Sequence, residues 1–97
     1  MQELSAEDSV FILDKLNNEL METWNNLSTN QPKDLVLEFG NSIKEMGEKF
    51  NIKMFKNYGT DIITALNSFD IESLLRLISQ FPVMIEVFNR DLIKATD

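Results

Sequence analysis

Residues 35–50 read LVLEFGNSIKEMGEKF, and the spacing of their apolar positions decides the fold. Leu35, Phe39, Ile43, Met46 and Phe50 recur at three- and four-residue steps, the period of one face of an α-helix rather than the alternation of a strand. At ~100° per residue with Asn41 at zero, this stripe falls between roughly 120° and 200°, which makes it the core direction. Asn41 therefore points away from the core. Glu48, Leu37, Glu45 and Lys44 lie within about 60° of Asn41, while Gly40 and Gly47 share one flank. A helix-interior glycine costs roughly 0.5–1 kcal/mol relative to alanine, so two of them seven residues apart imply a steric cause. Either a neighbouring helix crosses closely, or another molecule approaches there.

The same period extends in both directions. Upstream, Leu13, Leu16, Leu20, Trp24 and Leu27 form a stripe that opens at a weak capping box, Ser5-x-x-Asp8. It closes at the polar string Ser28–Gln31, and Pro32 suits the first position of the next helix, where its missing amide is not needed. Downstream, Asn51 can end one helix and cap another with the stripe Phe55, Tyr58, Ile62, Leu66 and Phe69. The sharpest boundary is Phe69-Asp70-Ile71-Glu72-Ser73-Leu74: Asp70 caps, its carboxylate suits the positive helix end, and Phe69 can staple onto Leu74. Leu74, Ile78 and Phe81 continue until Pro82, after which Val87, Phe88 and Leu92 mark a short fifth segment or a bent continuation. The predicted helices cover about 6–28, 32–50, 52–68, 71–81 and 83–94. With short loops they form one all-α domain over residues 1–97, an antiparallel four-helix bundle with a short fifth C-terminal piece. The β-branched runs Ile62-Ile63 and Val83-Met84-Ile85 lie inside helical periodicity and are too short to compete.

Composition narrows the function. The 97 residues include sixteen acidic and nine basic side chains, a net charge of −7 that repels nucleic acid and anionic membrane surfaces. The longest apolar runs are a few residues, far short of the ~20 that a bilayer span needs, which predicts a soluble chain without direct membrane contact. Cysteine is absent, which excludes disulfides, thiolate metal sites and thiol nucleophiles. Histidine is absent too, removing the usual general base and the commonest metal ligand. The carboxylate pairs Glu45/Glu48 and Glu7/Asp8 lie on polar helical faces, and a solvated face accounts for them. Asp34 and Glu38 offer an i, i+4 pair without the oxygen-rich loop that calcium requires. The glycines fit no phosphate-binding loop. No cofactor, metal or enzymatic activity is expected.

Phe39-Gly40-Asn41-Ser42-Ile43-Lys44-Glu45-Met46-Gly47 resembles the active helix of histidine-containing phosphotransfer domains, in which His-x-Leu-Lys-Gly is followed by small residues. Asn41 matches the histidine, Ile43 the leucine and Lys44 the lysine, while Glu45 replaces the glycine. Separately, Trp24, Phe39, Tyr58-Gly59, Phe69-Asp70-Ile71-Glu72 and Phe81-Pro82 look like the helical segment that ends many bacterial hybrid sensor histidine kinases. The resemblance spans nearly the whole chain. It implies a phosphotransfer-like bundle in a cytoplasmic phosphorelay, at the cytoplasmic end of a larger and in some cases membrane-anchored kinase. Phosphoryl transfer is chemically closed to it, because a side-chain amide is a very poor nucleophile and no histidine can substitute. The expectation is a non-catalytic pseudo-phosphotransfer module that docks a receiver or kinase domain, in cis or in trans. Leu37, Gly40, Asn41, Lys44 and Gly47 are its candidate contact residues. The alternative is a purely structural or homodimerising helical cap on a multidomain kinase.

Overall fold

The computed structural model describes residues 6–29 and 33–96, without the side chains of 28, 29 and 91–96. The described residues are all-helical, with five helices and no strand among them. Helix α1 is one rod of three successive pieces: Ala6–Asp14, a π-helical stretch Lys15–Leu20, and Met21–Thr29. Helices α2 (Lys33–Phe50), α3 (Lys53–Asn67), α4 (Ile71–Ser79) and α5 (Phe81–Thr96) follow. Ser5 and Pro32, read above as helix-start signals, lie outside the described residues.

The boundaries have local causes. Asn51 adopts the left-handed conformation at φ 56°, and the next amide, Ile52 N–H, reaches back to the Gly47 carbonyl over 2.8 Å. This is a Schellman closure of α2. Asn51 thus ends one helix as expected, but the residue that precedes α3 in extended conformation is Ile52. The end of α3 repeats the device with Phe69 at φ 55°: Phe69 N–H bonds to the Leu66 carbonyl at 3.2 Å and Asp70 N–H to that of Ala65 at 3.0 Å. Asp70 then caps α4, accepting the Ser73 amide at 3.2 Å. The expected Phe69–Leu74 staple does not form, because the left-handed turn swings the Phe69 ring outward to 77% exposure.

Only Gln80 separates α4 from α5, and its backbone is itself right-handed helical. Met84 N–H bonds to the Gln80 carbonyl at 2.9 Å, so helical bonding resumes across Pro82. The fifth helix is therefore not short. It spans 16 residues and starts one position before the proline, which sits in the first turn where no amide is required.

All five helices contribute to one core. Phe81 of α5 is its aromatic centre, with ring centroids 5.0 Å from Phe39, 6.4 Å from Tyr58 and 6.5 Å from Trp24, on α2, α3 and α1 respectively. Phe55 and Phe88 pair at 4.9 Å. In α1 the buried set is Ile12, Leu16, Leu20 and Leu27, with Leu13 only half-buried. The π-helical stretch turns fewer degrees per residue, which rotates the first turns relative to the rest. Its wider hydrogen bonding shows where Met21 N–H reaches the Leu16 carbonyl, five residues back. In α2 the core face comprises Val36, Phe39, Gly40, Ile43, Met46 and Gly47, rotated toward the glycines from the stripe that includes Leu35 and Phe50.

Candidate functional site

The rotation of α2 follows from its glycines. A Cβ on Gly47 would stand 2.5 Å from the Lys56 backbone nitrogen and 2.9 Å from the Ile52 carbonyl oxygen. One on Gly40 would meet Ile62 Cγ2 at 3.0 Å and Ile63 Cγ1 at 3.2 Å. The contact is reciprocal at Gly59 of α3, where a Cβ would stand 2.5 Å from the Gly40 carbonyl oxygen and 2.7 Å from the Lys44 Cβ. Three glycines thus bring the α2 and α3 backbones into direct contact, and close packing offsets their intrinsic helix cost. Gly40 and Gly47 are buried beneath α3. Their missing side chains make room for a neighbouring helix, and neither faces solvent as a shoulder of a docking patch.

The rest of the candidate set divides by its distance from this crossing. Asn41 is exposed, on the side of α2 away from Phe39 and Ile43, as are Glu45 and Glu48. Leu37 and Lys44 are half-buried, and Leu37 packs partly against the core. The wheel places both toward the glycine flank, so α3 leans over them. The structure therefore brings Asn41, Leu37 and Lys44 to one side of α2 as a polar face with an apolar edge.

Sequence reasoning missed what lies beside that face. A shallow cleft of about 210 Å³ runs between α1 and α2, lined by Phe11, Lys15, Ser42, Glu45, Lys49 and Phe50, with Met46 at its floor. Phe11 is 48% exposed; its ring and that of Phe50 lie 5.8 Å apart, and the Lys49 ammonium stands 5.3 Å from each centroid. Cation–π attraction of this kind favours that arrangement. The signal was present in the sequence, since Val10 and Phe11 are apolar residues outside the α1 stripe.

Among the described residues no side chain that is both buried and polar or charged is left without a hydrogen bond, and no group of three or more Asp or Glu could hold a metal. The two groups whose acidity departs from the ordinary value lie away from Asn41. Burial raises the Tyr58 phenol, whose O–H donates to the Leu77 carbonyl. Hydrogen bonding from Ser73 lowers the Asp70 carboxyl, with a smaller contribution from Arg76. The exposed Asn41 amide offers two donors and an acceptor to a partner. Among the described residues no helix is long and apolar enough to cross a membrane. No protein-family model, curated protein or solved structure matches the chain.

Proposed function

We propose that this chain is a non-catalytic pseudo-phosphotransfer module of a two-component phosphorelay, an antiparallel four-helix bundle extended by α5, which docks a receiver or kinase domain by protein contact. The observation that carries the reading is the exposed Asn41 on α2, at the position where the resemblance puts the phosphorylated histidine, in a chain without histidine. Leu37, Asn41 and Lys44 supply an apolar edge, a hydrogen-bonding amide and a positive charge. Gly40 and Gly47 set the spacing of α2 against α3 beneath them. An aspartyl phosphate on a receiver would meet an amide whose nitrogen lone pair is delocalised, so docking proceeds without transfer. Such a face is small, and the expected affinity is modest.

The test is titration of the chain with receiver domains from the same genome, with and without their phosphoryl group. Binding that weakens when Leu37 and Lys44 are replaced by Ala, and phosphate that stays on the receiver, support the proposal. Absence of binding to any receiver or kinase domain refutes it. Asn41→His adds a sharper arm: appearance of acid-labile phosphate on the variant, in the presence of a phosphorylated receiver, requires the docking geometry proposed here.

A dimerising helical cap is the second reading, and the exposed apolar residues where α3 meets α4 favour it.

A further inference from the structure

At the start of α4 three large apolar side chains face solvent in succession: Phe69 at 77% exposure, Ile71 at 55% and Leu75 at 44%. Scattered exposed apolar residues are ordinary, but these are contiguous and rigidly held. Phe69 is fixed in the left-handed conformation by the two Schellman bonds, and the Asp70 cap fixes the first turn that carries Ile71. Ile71 and Leu75 lie one helical turn apart on a single ridge. The adjacent i, i+4 row is Glu72 and Arg76, both exposed and of opposite charge.

That charge pattern is self-complementary. If two α4 helices pack antiparallel about a two-fold axis, each residue i faces a residue j of the other copy with i + j constant. With i + j = 146, Ile71 meets Leu75 and Leu75 meets Ile71, and on the adjacent row Glu72 stands two residues, ~3 Å along the axis, from facing Arg76, a stagger these long side chains span, twice. We infer that the chain self-associates through α4, with the Phe69–Ile71–Leu75 ridge at the two-fold axis and reciprocal Glu72–Arg76 pairs beside it. None of these residues belongs to the Asn41 face, so this contact is independent of receiver docking. The helix has nine residues, ~14 Å of length, so the interface falls below the ~1,200–2,000 Å² of a tight complex and the dimer is weak.

Sedimentation equilibrium on the 97-residue chain at about 0.15 M salt, where repulsion between two strongly acidic copies is largely screened, tests this. The wild type is expected to shift from monomer to dimer as concentration rises into the high micromolar range. Glu72→Arg alone and Arg76→Glu alone place like charges opposite each other, and each should weaken association on the order of tenfold. Mixing these two variants restores both attractive pairs and should restore the dimer. So should the double variant carrying both changes. Both substituted residues are exposed, and helical circular dichroism verifies folding of each variant. A chain that stays monomeric at every concentration, single variants that associate like the wild type, or a mixture that fails to recover would each overturn the inference.

Discussion

The indole N–H of Trp24 donates to the backbone carbonyl of Ile78 over 2.7 Å, joining the last piece of α1 to the last turn of α4. In a continuous helix that carbonyl would accept the amide of residue 82, but residue 82 is proline and has none. The preceding carbonyl, that of Leu77, accepts the Gln80 amide at 3.1 Å and the Tyr58 hydroxyl as a second donor. Side chains from α1 and α3 thus satisfy the backbone where the chain passes from α4 to α5 without a loop. The bend and the two aromatic donors form one device.

Trp24→Phe keeps most of the ring and removes the donor, leaving a part-buried carbonyl without it. We expect a loss of about 1–2 kcal/mol in urea unfolding followed by circular dichroism. Pro82→Ala returns an amide to the position that can reach Ile78, so in that background the same Trp24 change should cost measurably less. Equal penalties in both backgrounds would mean that the hydrogen bond and the proline are unconnected.

The glycines at the α2–α3 crossing are not equivalent. An added methyl at Gly47 or Gly59 would stand 2.5 Å from a backbone atom, so whole helices must move apart. At Gly40 the nearest atoms are side-chain carbons of Ile62 and Ile63 at 3.0 and 3.2 Å, which can yield by a few tenths of an ångström. Gly47→Ala and Gly59→Ala should each lose about 2 kcal/mol or more. Gly40→Ala should fall within about 1 kcal/mol of the wild type, because the gain in helix propensity offsets the crowding. Thermal melts of the three variants give the ranking directly.

These cases show what could be read from the sequence and what could not. Helical class followed from stripes such as Leu74–Ile78–Phe81, all three buried, and the Asp70 cap from an acidic residue placed before an apolar period. The outward side of Asn41 followed from its position opposite Phe39 and Ile43. The rotation of α2 did not follow, because a wheel weighted by apolar side chains assigns no burial to Gly40 and Gly47. A 3.6-residue period starts the α1 stripe at Leu13 and not at the buried Ile12, because it cannot anticipate the π-helical stretch Lys15–Leu20. Phe69 continued the α3 stripe numerically, yet the backbone had already reversed beneath it.

Asp70 sets a pH dependence whose sign follows from its cap. Hydrogen bonds from Ser73, aided by the nearby Arg76 charge, hold its carboxyl below the ordinary carboxylate range in the folded chain. The folded form thus binds its proton less readily than the unfolded form, so the cap contributes stability above the unfolded pKa and loses it as pH falls through the lower, folded one. Asp70→Ala should melt below the wild type at neutral pH, and the gap should narrow on acidification beneath the usual carboxylate range. A gap that stays constant down to strongly acidic pH would show that the charge on Asp70 does not contribute.

Phe69 separates the stability of the chain from its association. A bulky L-residue in the left-handed region costs roughly 1–2 kcal/mol, whereas glycine enters that region freely. Since the ring is 77% exposed, removing it forfeits little burial, and the greater freedom of glycine in the unfolded chain cancels only part of the relief. Phe69→Gly should therefore raise the unfolding free energy, by about 0.5–1 kcal/mol in urea titrations below the association threshold. The same substitution removes the largest apolar group on the ridge and should weaken the concentration-dependent dimer. A variant that is both less stable and still dimeric would place the ring against its own chain, and the left-handed turn would then be held by packing that the exposed ring does not show.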